Sequence, residues 1–236
     1  MESVLLQAVF LSALAGTAIP AGAFLARFDG LLPGWLREEF RHSVIAFGGG
    51  ALISAIALVL VPEGTDRIGA LSALFLFGAG GLVFGFLDFR LSQRQSRVSQ
   101  FMAMMLDYIP EAMALGAMLV GQFEVALLLA CLIALQNVPE GFNAWREMAG
   151  TGTRPKLMWV FLAMVPVGPI AAVIGLYVLD DMPEVLGGIM MFSAGGILYL
   201  IFEDVAPQVP LQKKWGPPMG AVLGFMLGLA GHLALA

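Results

Sequence analysis

The chain has 236 residues, of which 59% are hydrophobic and 12% charged, and its formal net charge is -5. Soluble domains carry roughly a quarter charged residues, so this balance excludes an ordinary soluble enzyme, a disordered chain and a nucleic-acid binder. The single Cys131 excludes an intrachain disulfide, and the mean hydropathy of +0.89 is that of a polytopic membrane protein.

At about 20 residues per membrane span, apolar runs divide the chain into eight segments. They cover 4–26, 43–62, 68–87, 100–121, 124–146, 157–179, 183–205 and 217–235. Helices are expected throughout, because a helix satisfies its own backbone hydrogen bonds in lipid. No connection is long enough for a soluble domain, so residues 1–236 read as one all-α transmembrane domain. Ala21-Gly22-Ala23 resembles a cleavage site, but Glu2 stands where a signal peptide is basic. The first segment is therefore expected to stay as an uncleaved span.

The cations orient the spans. Arg27, Arg37 and Arg41 follow span 1, and Arg90, Arg94 and Arg97 follow span 3. Arg146, Arg154 and Lys156 follow span 5, Lys213 and Lys214 follow span 7, and only Arg67 falls on the other side. Positive loops stay cytoplasmic, so both termini are expected outside. Phe47 to Pro62 (FGGGALISAIALVLVP) and Phe192 to Pro207 (FSAGGILYLIFEDVAP) share a pattern at a constant offset. Spans 2 and 7 would run in opposite directions, which predicts an inverted repeat of the kind that builds secondary transporters.

A charge at mid-membrane costs about 3 kcal/mol or more, so carboxylates inside spans need a reason. Span 4 carries DYIPEA from Asp107 and span 5 carries QNVPEG from Gln136. Asp107 and Glu111 are four residues apart, as are Gln136 and Glu140, so each pair shares one helical face. Pro110 and Pro139 free the carbonyls of Leu106 and Leu135. A short turn at Gly121-Gln122 would bring both oxygen-rich faces together, and span 7 carries a further acid pair, Glu203 and Asp204. Crowded carboxylates repel one another in a low dielectric, and a bound divalent cation removes that penalty.

These residues resemble the ZIP family of divalent metal transporters. The resemblance covers the whole chain: eight spans, outward termini, and Pro-Glu motifs in spans 4 and 5. ILYLIFEDVAP, ending at Pro207, is similar to the family's span-7 pattern, and PVGPIAAVIGLY, from Pro166 to Tyr177, looks like its span-6 stretch. The resemblance implies Asp107, Glu111, Gln136 and Glu140 as ligands of a main metal site, with Glu203 or Asp204 adding a span-7 carboxylate. Tyr108 and Asn137 fall where the family places ligands of a second, adjacent metal. This chain departs from the family at Asp107, where His is usual, at Tyr108, where Asn is usual, and at Gly168, which replaces an acid. The span 3–4 loop, RLSQRQSRVSQ, has no His. A second site therefore looks impaired, and the main site is all oxygen. Oxygen donors suit harder ions than imidazole does, which shifts the expected preference from zinc towards manganese or iron.

The implied function is uptake of a divalent transition metal (Zn, Mn, Fe or Cd) into the cytoplasm across a bacterial plasma membrane, with the lipid bilayer as the only other partner. Neither an enzymatic activity nor a tightly bound cofactor is expected, since HExxH, GxSxG and GxGD are all absent from the sequence. The rival readings are a ZIP-like protein that binds metal without moving it and, more remotely, an intramembrane hydrolase using paired acids. His42 and His232 read as capping or packing residues remote from the motifs, and the methionines of span 4 read as core filler. Gly81 and Gly85 on span 3, and Gly220, Gly224 and Gly228 on span 8, permit close helix approach within a protomer or across a homodimer.

Overall fold

The structure, a computed structural model, describes residues 2–28, 33–92, 99–149, 156–179, 181–209 and 214–235. The described residues form eight helical spans and contain no strand. Span α1 is Glu2–Ala26. Span α2 begins as Gly34–Ala55, widens into a π-turn at Ile56–Leu60 and ends as Val61–Arg67. Spans α3, α4 and α5 are Ala70–Ser92, Ser99–Met118 and Phe123–Ala149. Span α6 is broken into Leu157–Leu162, Val167–Ile174 and a π-turn at Gly175–Leu179. Span α7 runs from Pro183–Leu200 through a π-turn at Ile201–Val205 into a short 3-10 turn, Ala206–Gln208. Span α8 is Gly216–Leu235.

Seven of these are long and apolar enough to cross a membrane. The eighth, α4, is diluted by Asp107, Tyr108, Pro110 and Glu111, yet it packs against α5, α6 and α7. Its polar residues meet protein rather than lipid.

All eight expected segments are present, with two differences in extent. Span α2 starts at Gly34 rather than at residue 43. Arg37, Glu38, Glu39 and Arg41 end the apolar run but are good helix formers, so the helix continues past the apolar stretch. Span α6 loses helical continuity around Met164 and Val165, where Pro166 lacks an amide donor. Of the residues that carried the charge argument, Arg94, Arg97, Arg154 and Lys213 lie outside the described residues. Asp180, in the loop before span 7, does too.

The π-turns have a local cause. Pro62 and Pro207 follow the two turns in α2 and α7 at equal spacing. A proline leaves the carbonyl four residues earlier without its donor. The chain answers with bonds one residue longer: the Val61 amide donates to Ile56 O, and the Ala206 amide donates to Ile201 O.

Helix pairing divides the bundle into two groups. Spans α1, α4, α5 and α6 pack mainly on one another, as do α2, α3, α7 and α8. Glycines set the closest approaches. A Cβ on Gly22 would lie 1.9 Å from Val138 O, and one on Gly141 would lie 2.2 Å from Ile19 O. In the second group, a Cβ on Gly50 would meet Ala221 O at 2.0 Å, and one on Gly195 would meet Phe77 O at 1.9 Å. Such contacts are open only to a residue without a side chain. The expected turn between α4 and α5 is present, with Gly121 at φ +96, a conformation that favours glycine. Beside it, Gln122 Nε2 donates to Glu63 Oε2 at 3.0 Å, and Arg67 bridges Glu63 at 2.5 Å while also donating to the Gln122 side-chain oxygen. This clasp ties the end of α2 to the α4–α5 turn.

Candidate metal centre

The two Pro-Glu motifs face each other in the middle of the bundle. Both helices continue through their prolines, Pro110 and Pro139. Glu111 and Gln136 are fully buried, and Gln136 Nε2 donates to Glu111 Oε2 at 2.5 Å. Asn137, also fully buried, donates from Nδ2 to Ala15 O at 3.1 Å, which fixes α5 to α1. Asp107 is buried, and its Oδ1 accepts from the Tyr108 amide at 2.7 Å.

Four oxygens are left over. Glu111 Oε1, Gln136 Oε1, Asn137 Oδ1 and Glu140 Oε2 are buried without a hydrogen-bond partner. Nearly all buried polar atoms in folded proteins are paired, so four orphaned acceptors on two adjacent helices call for a positively charged or donating ligand. Among the described residues, no three His, Cys, Asp or Glu side chains gather closely enough to hold an ion by themselves. The unpartnered set is mixed, with two amide oxygens and two carboxylate oxygens.

A narrow cavity of about 40 Å³ opens beside these donors, lined by Asp107, Glu140, Asn143 and Asp204 together with apolar residues of α2 and α7. Of the two span-7 acids, Asp204 therefore reaches the cavity. Glu203 does not: it is exposed, beside Tyr199 and towards Asp88 on the outside of the α3–α7 pair. Consecutive residues of a helix leave its axis in different directions, so only one of the two acids turns inward.

Tyr108 lies outside the donor set. Its ring is fully buried, and its hydroxyl donates to Ser12 O at 3.3 Å. A Cβ at Gly16 or at Gly168 would stand 2.5 or 1.9 Å from that hydroxyl. The phenol thus fills a socket cut by two glycines, at the break in α6. Tyr108 and Gly168, noted separately in the sequence, form one packing unit.

Sequence reasoning missed Asn143. It lies one turn beyond Glu140 and is shared by the narrow cavity and a wider one of about 350 Å³. The i, i+3 spacing from Glu140 was a signal available in the sequence. His42 Nδ1 contacts Gln208 O, capping the end of α7 as expected of it. His232 lines a separate cavity of about 390 Å³ with Glu63 and Glu124, away from the donors. Met104 and Met118 are buried in the core. Compared with known proteins, the chain matches no family model and no curated protein.

Proposed function

We propose that this protein carries a divalent transition-metal ion across a membrane, with its termini outside and net movement inward, as a ZIP-like transporter. The observation that carries this reading is the set of four buried, unpartnered oxygens of α4 and α5, one of them on Glu140, which lines a cavity together with Asp107 and Asp204. Placing uncompensated acids inside a membrane protein is costly and marks an ion pathway. Oxygen-only donors favour a harder ion such as Mn²⁺ or Fe²⁺ over Zn²⁺. The end of the bundle bearing Arg41 and Arg146 is assigned to the cytoplasm by the positive-inside rule.

An inverted repeat supports transport rather than static binding. The π-turns Ile56–Leu60 and Ile201–Val205 keep the spacing of the two sequence copies. Close approaches come in matching pairs as well. Gly50 meets Ala221 as Gly195 meets Phe77, and Gly224 meets Phe47 as Gly80 meets Phe192. Likewise Gly22 meets Val138 as Gly175 meets Met113, and Gly141 meets Ile19 as Gly116 meets Ala172. The pairs are related by exchanging spans 1 with 6, 2 with 7, 3 with 8 and 4 with 5. In that register Glu111 and Gln136 are counterparts, so their hydrogen bond falls on the pseudo-two-fold axis. The Pro-Glu motifs match in a register one helical turn away, which makes the donor set asymmetric about the axis. Two related halves around a central site suit alternating access.

The deciding experiment is metal uptake by proteoliposomes, with Mn²⁺, Fe²⁺, Zn²⁺ and Cd²⁺ offered in turn to wild type and Glu140→Ala. Uptake lost in the variant, with Mn²⁺ or Fe²⁺ preferred, is the expected result. Binding without uptake in the wild type would convert the reading to a metal-binding membrane protein. Strong preference for Zn²⁺ over Mn²⁺ would overturn the argument from oxygen donors.

A further inference from the structure

We propose that Asn143, with Asp204 facing it from α7, forms a transfer site through which the cation leaves the main donors for the cytoplasmic mouth. This rests on the transport reading above and names a step within it. Asn143 lines the narrow cavity together with Asp107, Glu140 and Asp204. It also lines the wider cavity, where its neighbours are Arg41, Arg146, Glu147 and Gln208. Ile45 is the other residue common to both, and it offers no donor. The carboxamide oxygen of Asn143 is therefore the ligand available where the two spaces meet.

The repeat makes this polar route one-sided. In the register that pairs Gly22–Val138 with Gly175–Met113, Asp107 corresponds to Leu132, Glu140 to Leu115 and Asn143 to Met118. In the register of the α2 and α7 π-turns, Asp204 corresponds to Val59. All four counterparts are apolar and at most 1% exposed. Symmetry of the fold therefore does not account for a polar group at 143. Those four counterparts are hydrocarbon, while this half carries oxygens on successive turns of α5 at Glu140 and Asn143; the polar groups of the other half lie further along, at Glu63 and Gln122.

Charge makes the neck a resting point for the ion. A cation at the mouth meets the guanidinium groups of Arg41 and Arg146, partly offset by Glu147. Like charges repel, so an ion dwells more favourably at the Asn143–Asp204 neck than in the mouth. A neutral amide is a weak ligand, which suits a station the ion must leave; a carboxylate there would hold it.

The test is initial-rate uptake of Mn²⁺ into proteoliposomes, paired with equilibrium Mn²⁺ binding to the purified protein. For Asn143→Leu the expectation is a maximal rate lowered about tenfold, with KM and equilibrium affinity unchanged. Asn143→Asp should also lower the maximal rate while raising equilibrium affinity, and Asn143→Gln should restore part of the rate. Wild-type maximal rate in Asn143→Leu would overturn the transfer site and leave the transport reading intact. Equal loss of rate and equilibrium binding would place Asn143 in the main site or the packing and also overturn it. Absence of uptake by the wild type would instead fail the transport reading, and the transfer step with it.

Discussion

The two groups of four helices are built differently. Within α1, α4, α5 and α6, and within α2, α3, α7 and α8, glycines bring backbones into direct contact. Between the groups, glycines meet only side chains: Gly48 faces the Pro139 ring at 2.6 Å and Gly231 faces Leu128 Cδ1 at 3.1 Å. The polar clasp of Glu63, Arg67 and Gln122 also crosses this boundary. The first group holds five of the donor residues, while the second contributes Asp204 and the apolar wall of the cavity. Donors that must keep their mutual geometry are thus fixed on one unit by backbone contact. The surface between the units is made of side chains that can repack.

The largest effects should follow from breaking a backbone contact inside a group. Gly22→Ala places a methyl group 1.9 Å from Val138 O, and Gly141→Ala places one 2.2 Å from Ile19 O. Neither carbonyl can move without shifting its helix, so each change should cost about 3 kcal/mol. Thermal unfolding in detergent would register this as a clear fall in Tm. Gly231→Ala, across the boundary, meets only the flexible end of Leu128 and gains helix propensity. Its stability should stay within about 1 kcal/mol of wild type. Equal losses in all three variants would dissolve the distinction between the groups.

An intermediate effect is expected at the tyrosine socket. Gly168→Ala sets its Cβ 1.9 Å from the Tyr108 hydroxyl and 2.8 Å from Cζ. The Ser12 carbonyl oxygen also stands 2.9 Å away and the buried ring has little room to turn, so a loss of about 2 kcal/mol follows. Tyr108→Ala alone leaves a cavity; combined with Gly168→Ala it also removes the closest clash and leaves only the contact with Ser12 O. Unfolding of the double variant should therefore cost clearly less than the sum of the two single changes. Additive losses would mean that Gly168 and Tyr108 do not act as one unit.

Much of this was legible in the sequence because lipid simplifies the problem. Eight apolar runs, the Gly121 turn and the two Pro-Glu faces follow from hydropathy, backbone freedom and the helical period. Less legible were features that depend on helix-to-helix register. The repeat between Phe47–Pro62 and Phe192–Pro207 is visible as letters, but the π-turns within it arise from how the chain accommodates Pro62 and Pro207. How α7 is rotated against its neighbours decides which of two consecutive acids faces inward, so Glu203 and Asp204 are equivalent as letters and differ in what they meet. Tyr108 and Gly168, 60 positions apart in sequence, read as two unrelated positions until packing joined them. Asn143 was hidden by ordinariness: an amide at the end of an apolar span is a usual boundary residue.

The smallest expected effect is also the most discriminating for the boundary between the groups. Asp204 and Glu203 are adjacent acids on the same π-turn, so exchanging either for its amide removes one negative charge from nearly the same place. A role through long-range charge alone would make Asp204→Asn and Glu203→Gln alike in Mn²⁺ uptake. A role through direct contact with the ion predicts a split. Asp204, which lines the cavity, should lose rate several-fold, whereas Glu203, exposed beside Tyr199, should stay within about twofold of wild type. Raising ionic strength sharpens the test, since it screens a distant surface charge far more than a ligand in a cavity. A deficit in Asp204→Asn that persists in high salt would show the second group touching the ion from across the boundary.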